Sequence, residues 1–474
     1  MQKMPPEVLG NIFTWCLPVS TEARRPDLKL APLLLCRVCA TWRQIALGLP
    51  RLWDALYLVA DMRDIRSKDR MSSALRLWAA CVKARPVSFS VNLVIGRRPL
   101  PLQNDPSDRC GSVVTEIFLL PLLNQLRSLD LCMHRLSNFH PLFKLGPLEF
   151  PSLQSLQLRF NSYNHERDAQ GLVAFETSSH LRDLTLEVLP AAGGGLVYHD
   201  LSVFRFPWAQ LTRLSLGYNV TMKSWLEIIR KCPNLQQCRV MLAYTYEDFV
   251  FPRKPPLLLS YLTDFTMVFK GYADPAVVQD LIFPSLKKLR IINSDAEESG
   301  FPARQPTQFY SQLSSLHTLI LIQQDISLPD LIGLLQTTSL LVELELDCGF
   351  DYDAIMGSLI YTPNSRDVLV RRLERLTIHV QDDFRRVPAY FSPTMYVTMV
   401  KSRWHSEDCQ PHISCLERVT LTLARHWQNV AEEVDVLLQP LVEGGLLAST
   451  SVITFTENPR IGIGYKLYPV DLWE

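Results

Sequence analysis

LRSLDL at residues 126–131, LQSLQL at 153–158, LRDLTL at 181–186 and LTRLSL at 211–216 are one pattern, Leu-x-x-Leu-x-Leu, written four times. The last four residues of each copy alternate polar and apolar, the period of a strand that buries one face and shows the other. A six-residue strand cannot bury a face alone. The return of the same strand at a regular interval therefore predicts units that stack and cover one another.

The series continues in looser form through Leu235-Cys238-Val240, Leu262-Phe265-Met267, Leu286-Leu289-Ile291, Leu316-Leu319-Leu321, Leu341-Leu344-Leu346, Leu373-Leu376-Ile378 and Leu416-Val419-Leu421. Apolar residues make up 47% of the chain, so three of them at fixed places recur by chance about once in ten positions. The spacing carries more weight than the pattern. First leucines from Leu126 to Leu341 follow at 27, 28, 30, 24, 27, 24, 30 and 25 residues, and the wider steps to Leu373 and Leu416 read as insertions. Phe-Pro-Ser-Leu precedes two strands, at Phe150 and Phe283, and Cys232-Pro233-Asn234-Leu235 fills the same slot. Residues 223–231 and 329–337 read as returning helices. The alternating run from Pro86 to Leu93 reads as the first strand of the array, after a linking helix over 67–84.

This interval and strand pattern resemble the leucine-rich repeat, without its asparagine ladder. The resemblance implies a curved α/β solenoid with parallel strands, against which stands a large mixed α/β domain. In a solenoid the residues between the inward leucines line the concave side: Ser128, Asp130, Ser155, Gln157, Arg159, Asp183, Thr185, Glu187, Arg213 and Ser215. Both charge signs occur among them, which suits a protein or peptide.

Ahead of the array lies a short apolar segment. Pro5 and Pro6 open a helix whose first N–H groups need no intrahelical partner, and Glu7 favours its positive end. Val8, Leu9, Ile12, Phe13 and Cys16 then make an apolar stripe that stops near Pro18. After a polar loop, helical spacing resumes through Leu35, Val38, Cys39, Trp42, Ile45, Ala46 and Leu49, and Pro50 ends it before Leu52 and Trp53. So small a unit buries too little of its own surface, and its apolar excess predicts a cover, either the following domain or a partner.

Pro5-Pro6-Glu7-Val8-Leu9 with Ile12-Phe13, then Leu35-Cys36-Arg37-Val38-Cys39 with Trp42-Arg43-Gln44-Ile45-Ala46, then Pro50-Arg51-Leu52-Trp53, resemble the F-box motif in its fungal form. Met4 stands where that family usually has leucine, and the 20–31 loop is long. The resemblance implies a three-helix F-box over 1–55, a link over 56–85 and the repeat domain over 86–474. It implies docking of Pro5, Pro6, Leu9, Ile12, Phe13, Val38, Cys39 and Trp42 onto a Skp-type adaptor, with Ile45, Leu52 and Trp53 nearby. The chain would then be the substrate receptor of an SCF-type ubiquitin ligase, joined through the adaptor to a cullin and holding a target protein on its repeats. An F-box repeat scaffold outside any ligase has the same sequence features.

Composition narrows the alternatives. Lysine plus arginine equals aspartate plus glutamate, 48 against 48, so no global field draws the chain to nucleic acid or an anionic membrane. No apolar run approaches the roughly 18 residues of a membrane span, and no secretory leader is legible, which predicts a cytoplasmic or nuclear protein. Eleven cysteines without framework spacing suit reduced thiols. No nucleophile elbow, Walker loop, His-Glu-x-x-His pair or dinucleotide fingerprint occurs, and no cofactor and no catalysis are expected. Cys36-x-x-Cys39 has redox spacing but lies in the apolar helical segment. His405, Cys409, His412 and Cys415 place four zinc-capable ligands within eleven residues. Such clips usually span more chain, and Pro411 stiffens this one.

Overall fold

The computed structural model describes residues 4–18, 25–61, 65–94, 113–133, 146, 150–161, 173–189, 201, 204–243, 256–270, 281–293, 306–324, 326–348, 351–362, 368–380, 390–404 and 414–453. These fall into two compact units, Met1–Val220 with Ser224–Cys232, and Thr221–Lys223 with Pro233–Glu474.

The first unit opens with α1 (Pro6–Trp15), α2 (Leu35–Val38) and α3 (Ala40–Gly48). As expected, α1 carries proline in its first turn, with Glu7 beside it. What reads in sequence as one helix from residue 35 is two. Cys39 is extended, and its Sγ accepts from the Trp42 backbone N–H at 3.4 Å, so it caps α3 and belongs to no apolar stripe. A single turn at Pro50–Leu52 leads into β1 (Ala55–Asp61), α4 (Ile65–Val82) and β2 (Val87–Val94). β1 pairs in parallel with β2 along its whole length. The strand array therefore begins at Ala55, the last residue of the expected F-box, and its first strand runs on into the stretch expected to be a link, so the run at 87–94 is its second strand.

β3 (Leu126–Met133), β4 (Ser155–Asn161), β5 (Asp183–Leu189) and β6 (Arg213–Thr221) follow, each parallel to the one before. The α5 helix (Met222–Ile229) matches the return helix expected there. In the second unit β7 (Gln237–Ala243), β9 (Asp264–Lys270), β11 (Lys288–Asn293), β12 (Thr318–Gln324), β13 (Glu343–Cys348), β14 (Arg375–Val380), β15 (Arg418–Ala424) and β16 (Leu447–Ile453) are parallel neighbours in that order. The two-residue strands β8 (Leu257–Leu258) and β10 (Leu281–Ile282) pair with each other beside them. The helices of this unit are α6 (Pro306–Ser311), α7 (Leu328–Thr337), α8 (Tyr352–Leu359), α9 (Pro393–Arg403) and α10 (Gln428–Glu443). The fold is thus parallel strands in chain order with helices between them.

All three leucines of each early repeat, Leu126, Leu129 and Leu131 for example, are fully buried. Rings thicken this core: Phe150 stacks on Phe175 at 5.1 Å in the first unit, and Phe265, Phe283 and Phe309 succeed one another in the second. Backbone bonds do the work of the missing asparagine ladder. The Gln154 carbonyl accepts from the Arg182 and Asp183 N–H groups, and the Arg182 carbonyl accepts from those of Thr212 and Arg213. The same fork recurs from Gln236 to Thr263 and Asp264, and from His317 to Val342 and Glu343. Each repeat so sets the register of the next through its backbone, and the Thr212 and Thr263 hydroxyls donate to the same Arg182 and Gln236 carbonyls.

Candidate functional site

Two surfaces hold the residues singled out by sequence. On the N-terminal helices, Phe13 turns inward and meets the Trp42 ring at 4.8 Å. Leu52 and Trp53 are also fully buried. The Trp53 indole donates to the Ala46 carbonyl at 2.9 Å and stands edge-on to Trp78, 4.7 Å away. These three residues, for which the resemblance implied a place at the adaptor, are core of this chain and have no exposed surface.

The others stay outside. Pro5, Pro6, Val38 and Cys39 are exposed, and Leu9, Ile12, Trp42 and Ile45 are half-buried. Sequence reasoning missed Val8, at 44% exposure, and Trp15, at 83%. The α1 stripe is in fact two stripes. Phe13 and Gly10 face inward, whereas Val8, Ile12 and Trp15, spaced by four and three, form an outward line that the same helical count could have separated. With Met4, Leu28, Leu34 and Val38, all exposed, the first forty residues present a dense group of bare large apolar side chains.

The second surface is the strand face opposite the leucines. Ser128, Ser155, Asp183 and Arg213 lie in one register row, and Asp130, Gln157, Thr185 and Ser215 in the next. Cys132, Arg159, Glu187 and Gly217 lie in a third row. All ten expected residues share this face. Asp130 accepts from Ser90 Oγ at 2.6 Å and from Arg159 at 2.7 Å, and Asp183 accepts from Arg213 at 2.6 Å. A Cβ at Gly217 would sit 3.0 Å from Glu187 Cγ, so the missing side chain makes room for this carboxylate. Ser90 was not legible as a participant because it lies outside the leucine motifs, and Gly217, in the slot of Arg159 and Glu187, because it has no side chain to contribute. In the second unit the same face carries His379 Nε2 2.9 Å from Glu345 and Arg375 beside Glu343.

Burial raises the proton affinity of Glu187; Arg159 works against the shift and Asp130 adds to it. The folded chain thus holds this proton over a window opening above the ordinary value of 4.5, where the unfolded chain has released it. Its contribution to stability is present at acid pH and is lost as pH rises through that window. Glu187→Gln keeps the shape and removes the titration. Melting temperatures of the variant and the natural chain are expected to coincide near pH 4, with the variant higher by a few degrees near pH 8. Parallel melting curves across that range would contradict this reading.

No family model matches this sequence, and no curated protein matches it. Among solved structures, an internalin from Listeria monocytogenes is similar over 84% of this chain and 94% of its own, at 12% identity and a TM-score of 0.29. So loose a likeness carries no argument about this chain.

Among the described residues no group of three His, Cys, Asp or Glu could hold a metal ion. His405, Cys409 and His412 lie outside the described residues, and Cys415 is half-buried. The Cys36 thiol is pushed up by burial, against the pull of Arg43, which makes it a poorer nucleophile than an ordinary cysteine. Among the described residues no helix is long and apolar enough to cross a membrane.

Proposed function

We propose that the N-terminal helices are an F-box that docks a Skp-type adaptor, and that the polar strand face holds a target protein. The chain is then the substrate receptor of an SCF-type ubiquitin ligase, reaching a cullin through the adaptor. The observation that carries this reading is the exposure of Val8 and Trp15 on α1 and of Val38 on α2, large apolar side chains on helices whose residues resemble the motif. Large exposed apolar patches mark interaction sites, because water contact with them is costly. Docking would bury them and relieve that cost at about 25 cal/mol per Å² of apolar surface covered. The chain itself performs no bond chemistry in this role. Holding a target lysine near a charged conjugating enzyme raises its effective concentration, and that is the whole of its contribution.

Val8→Asp combined with Val38→Asp tests the docking face. Both side chains are largely exposed, so the fold should persist with its melting temperature unchanged. Affinity for the adaptor is expected to fall roughly a hundredfold or more, as for a central interface residue replaced by a charge. Undiminished adaptor binding would sink the F-box reading. Capture of the adaptor from cells without a cullin would remove the ligase role and leave a scaffold.

A further inference from the structure

β16 is the last strand of the sheet, and among the described residues no strand pairs with its outer side. Its inward row is not sealed. Ala448, Thr450 and Val452 stand in register with Val419, Leu421 and Leu423, which are buried, yet they are only half-buried themselves. In the first unit the residues in the same slots of β1, Leu56 and Leu58, are buried. Natural sheets guard an open edge with charge, proline, a bulge or a very short strand. β16 has none of these: Leu447–Ile453 is seven residues long, keeps unbroken register with β15, and reads LASTSVI without a charged residue or proline. Leu447 is 58% exposed, and Val436 on α10, the helix before it, is 73% exposed. The Leu447 N–H donates to the Glu417 carbonyl, so by alternation the N–H and C=O groups of Ala448, Thr450 and Val452 point to the outer side.

We propose that this edge is covered by a second copy of this chain, β16 pairing antiparallel with its counterpart about a two-fold axis at Thr450. The inference is independent of adaptor docking. The order of residues along the strand selects the occupant. Turned about Thr450, it sets Ala448 opposite Val452, Ser449 opposite Ser451 and Thr450 opposite itself, apolar on apolar and polar on polar, and no like charges meet. The same register brings the outward N–H and C=O groups of Ala448, Thr450 and Val452 onto those of the copy as hydrogen-bonded pairs. Such a contact uses one patch twice and closes at two chains. The end face of one repeat, a strand of seven residues with its helix, is about 23 Å by 20 Å, on the order of 500 Å² per copy. A standard interface covers about 800 Å² per partner. The dimer is therefore weak, forming at roughly tens of micromolar.

Sedimentation equilibrium of the full chain tests this, in about 0.15 M salt to screen the exposed α10 carboxylates of Glu432, Glu433 and Asp435. The apparent mass is expected to rise from 54.2 kDa towards twice that value as the concentration approaches roughly a hundred micromolar. Ser449→Glu with Ser451→Glu sets carboxylates opposite one another across the axis and should abolish the rise. Ser449→Lys with Ser451→Lys should abolish it too. Both serines are exposed and give up only hydroxyl contacts to Thr420 and Thr422, so each variant should melt within about two degrees of the natural chain. An equimolar mixture of the acidic and basic variants should regain the dimer, which misfolded chains could not do. A natural chain that stays monomeric throughout the range, a dimer that survives in either charged variant, or a mixture that stays monomeric would overturn the proposal.

Discussion

Arg403→Leu is expected to destabilise the second unit by about 3–5 kcal/mol, the scale of breaking a buried charged group's contacts, and to lower its melting temperature by roughly 10 °C. Arg403 ends α9 and is 1% exposed. Its Nε donates to the Leu359 carbonyl at 2.6 Å, Nη2 to Leu369 at 2.7 Å and Nη1 to Val370 at 3.2 Å. Leu359 closes α8, where unpaired carbonyls carry the negative end of the helix dipole. Val370 sits at φ 43°, a left-handed conformation that a β-branched residue rarely adopts, so its turn needs an external hold. Leucine fills part of the space and leaves those acceptors without the guanidinium, at about 1–3 kcal/mol for each one left buried and unpaired. Arg403→Lys keeps the charge but lacks the planar fork, and should fall between the two. Calorimetry of the three chains is the measurement. A leucine variant as stable as the natural chain would show that water or a rearranged turn satisfies the carbonyls.

Trp53→Ala should cost the first unit about 3–5 kcal/mol, in the range of large-to-small changes at fully buried aromatic sites. The change opens a cavity against Trp78, removes the edge-on ring contact and leaves the Ala46 carbonyl without its indole donor. Trp78 in turn donates to the Ala55 carbonyl at the start of β1. The two tryptophans therefore join α3 to the first strand, and their loss should expose residues 4–48 to limited proteolysis before the strands yield. Trp53→Phe separates core from contact. It keeps most of the packing, and since Trp53 has no exposed surface, adaptor binding should be unchanged in any variant that remains folded. Weakened adaptor binding at unchanged stability would return Trp53 to the interface.

Much of this architecture was legible because it repeats. A polar-apolar alternation seen once is weak evidence, but its recurrence from Leu126 to Leu346 at nearly even steps places the buried leucines, and with them the polar face that alternates with them. β1 escaped notice because Ala55-Leu56-Tyr57-Leu58-Val59 lacks the motif's leading leucine and shows no clean alternation. β16 reads Leu-Ala-Ser-Thr-Ser-Val-Ile, with small residues where leucines were counted. The helix break at Cys39 was hidden because its neighbours keep helical spacing on both sides.

The sequence by itself determined the stacked parallel strands, their inward leucines and the apolar character of the N-terminal helices. Period and residue type are sufficient for these, because a strand or helix has only one way to turn its apolar side toward a core. Tertiary structure alone decided which apolar side chains remain bare. Phe13 and Trp53 are as greasy as Val8, Trp15 and Val38, yet the first two are consumed by contacts with Trp42 and Trp78, more than twenty residues along the chain. Burial is a property of neighbours in space. Composition cannot count those neighbours.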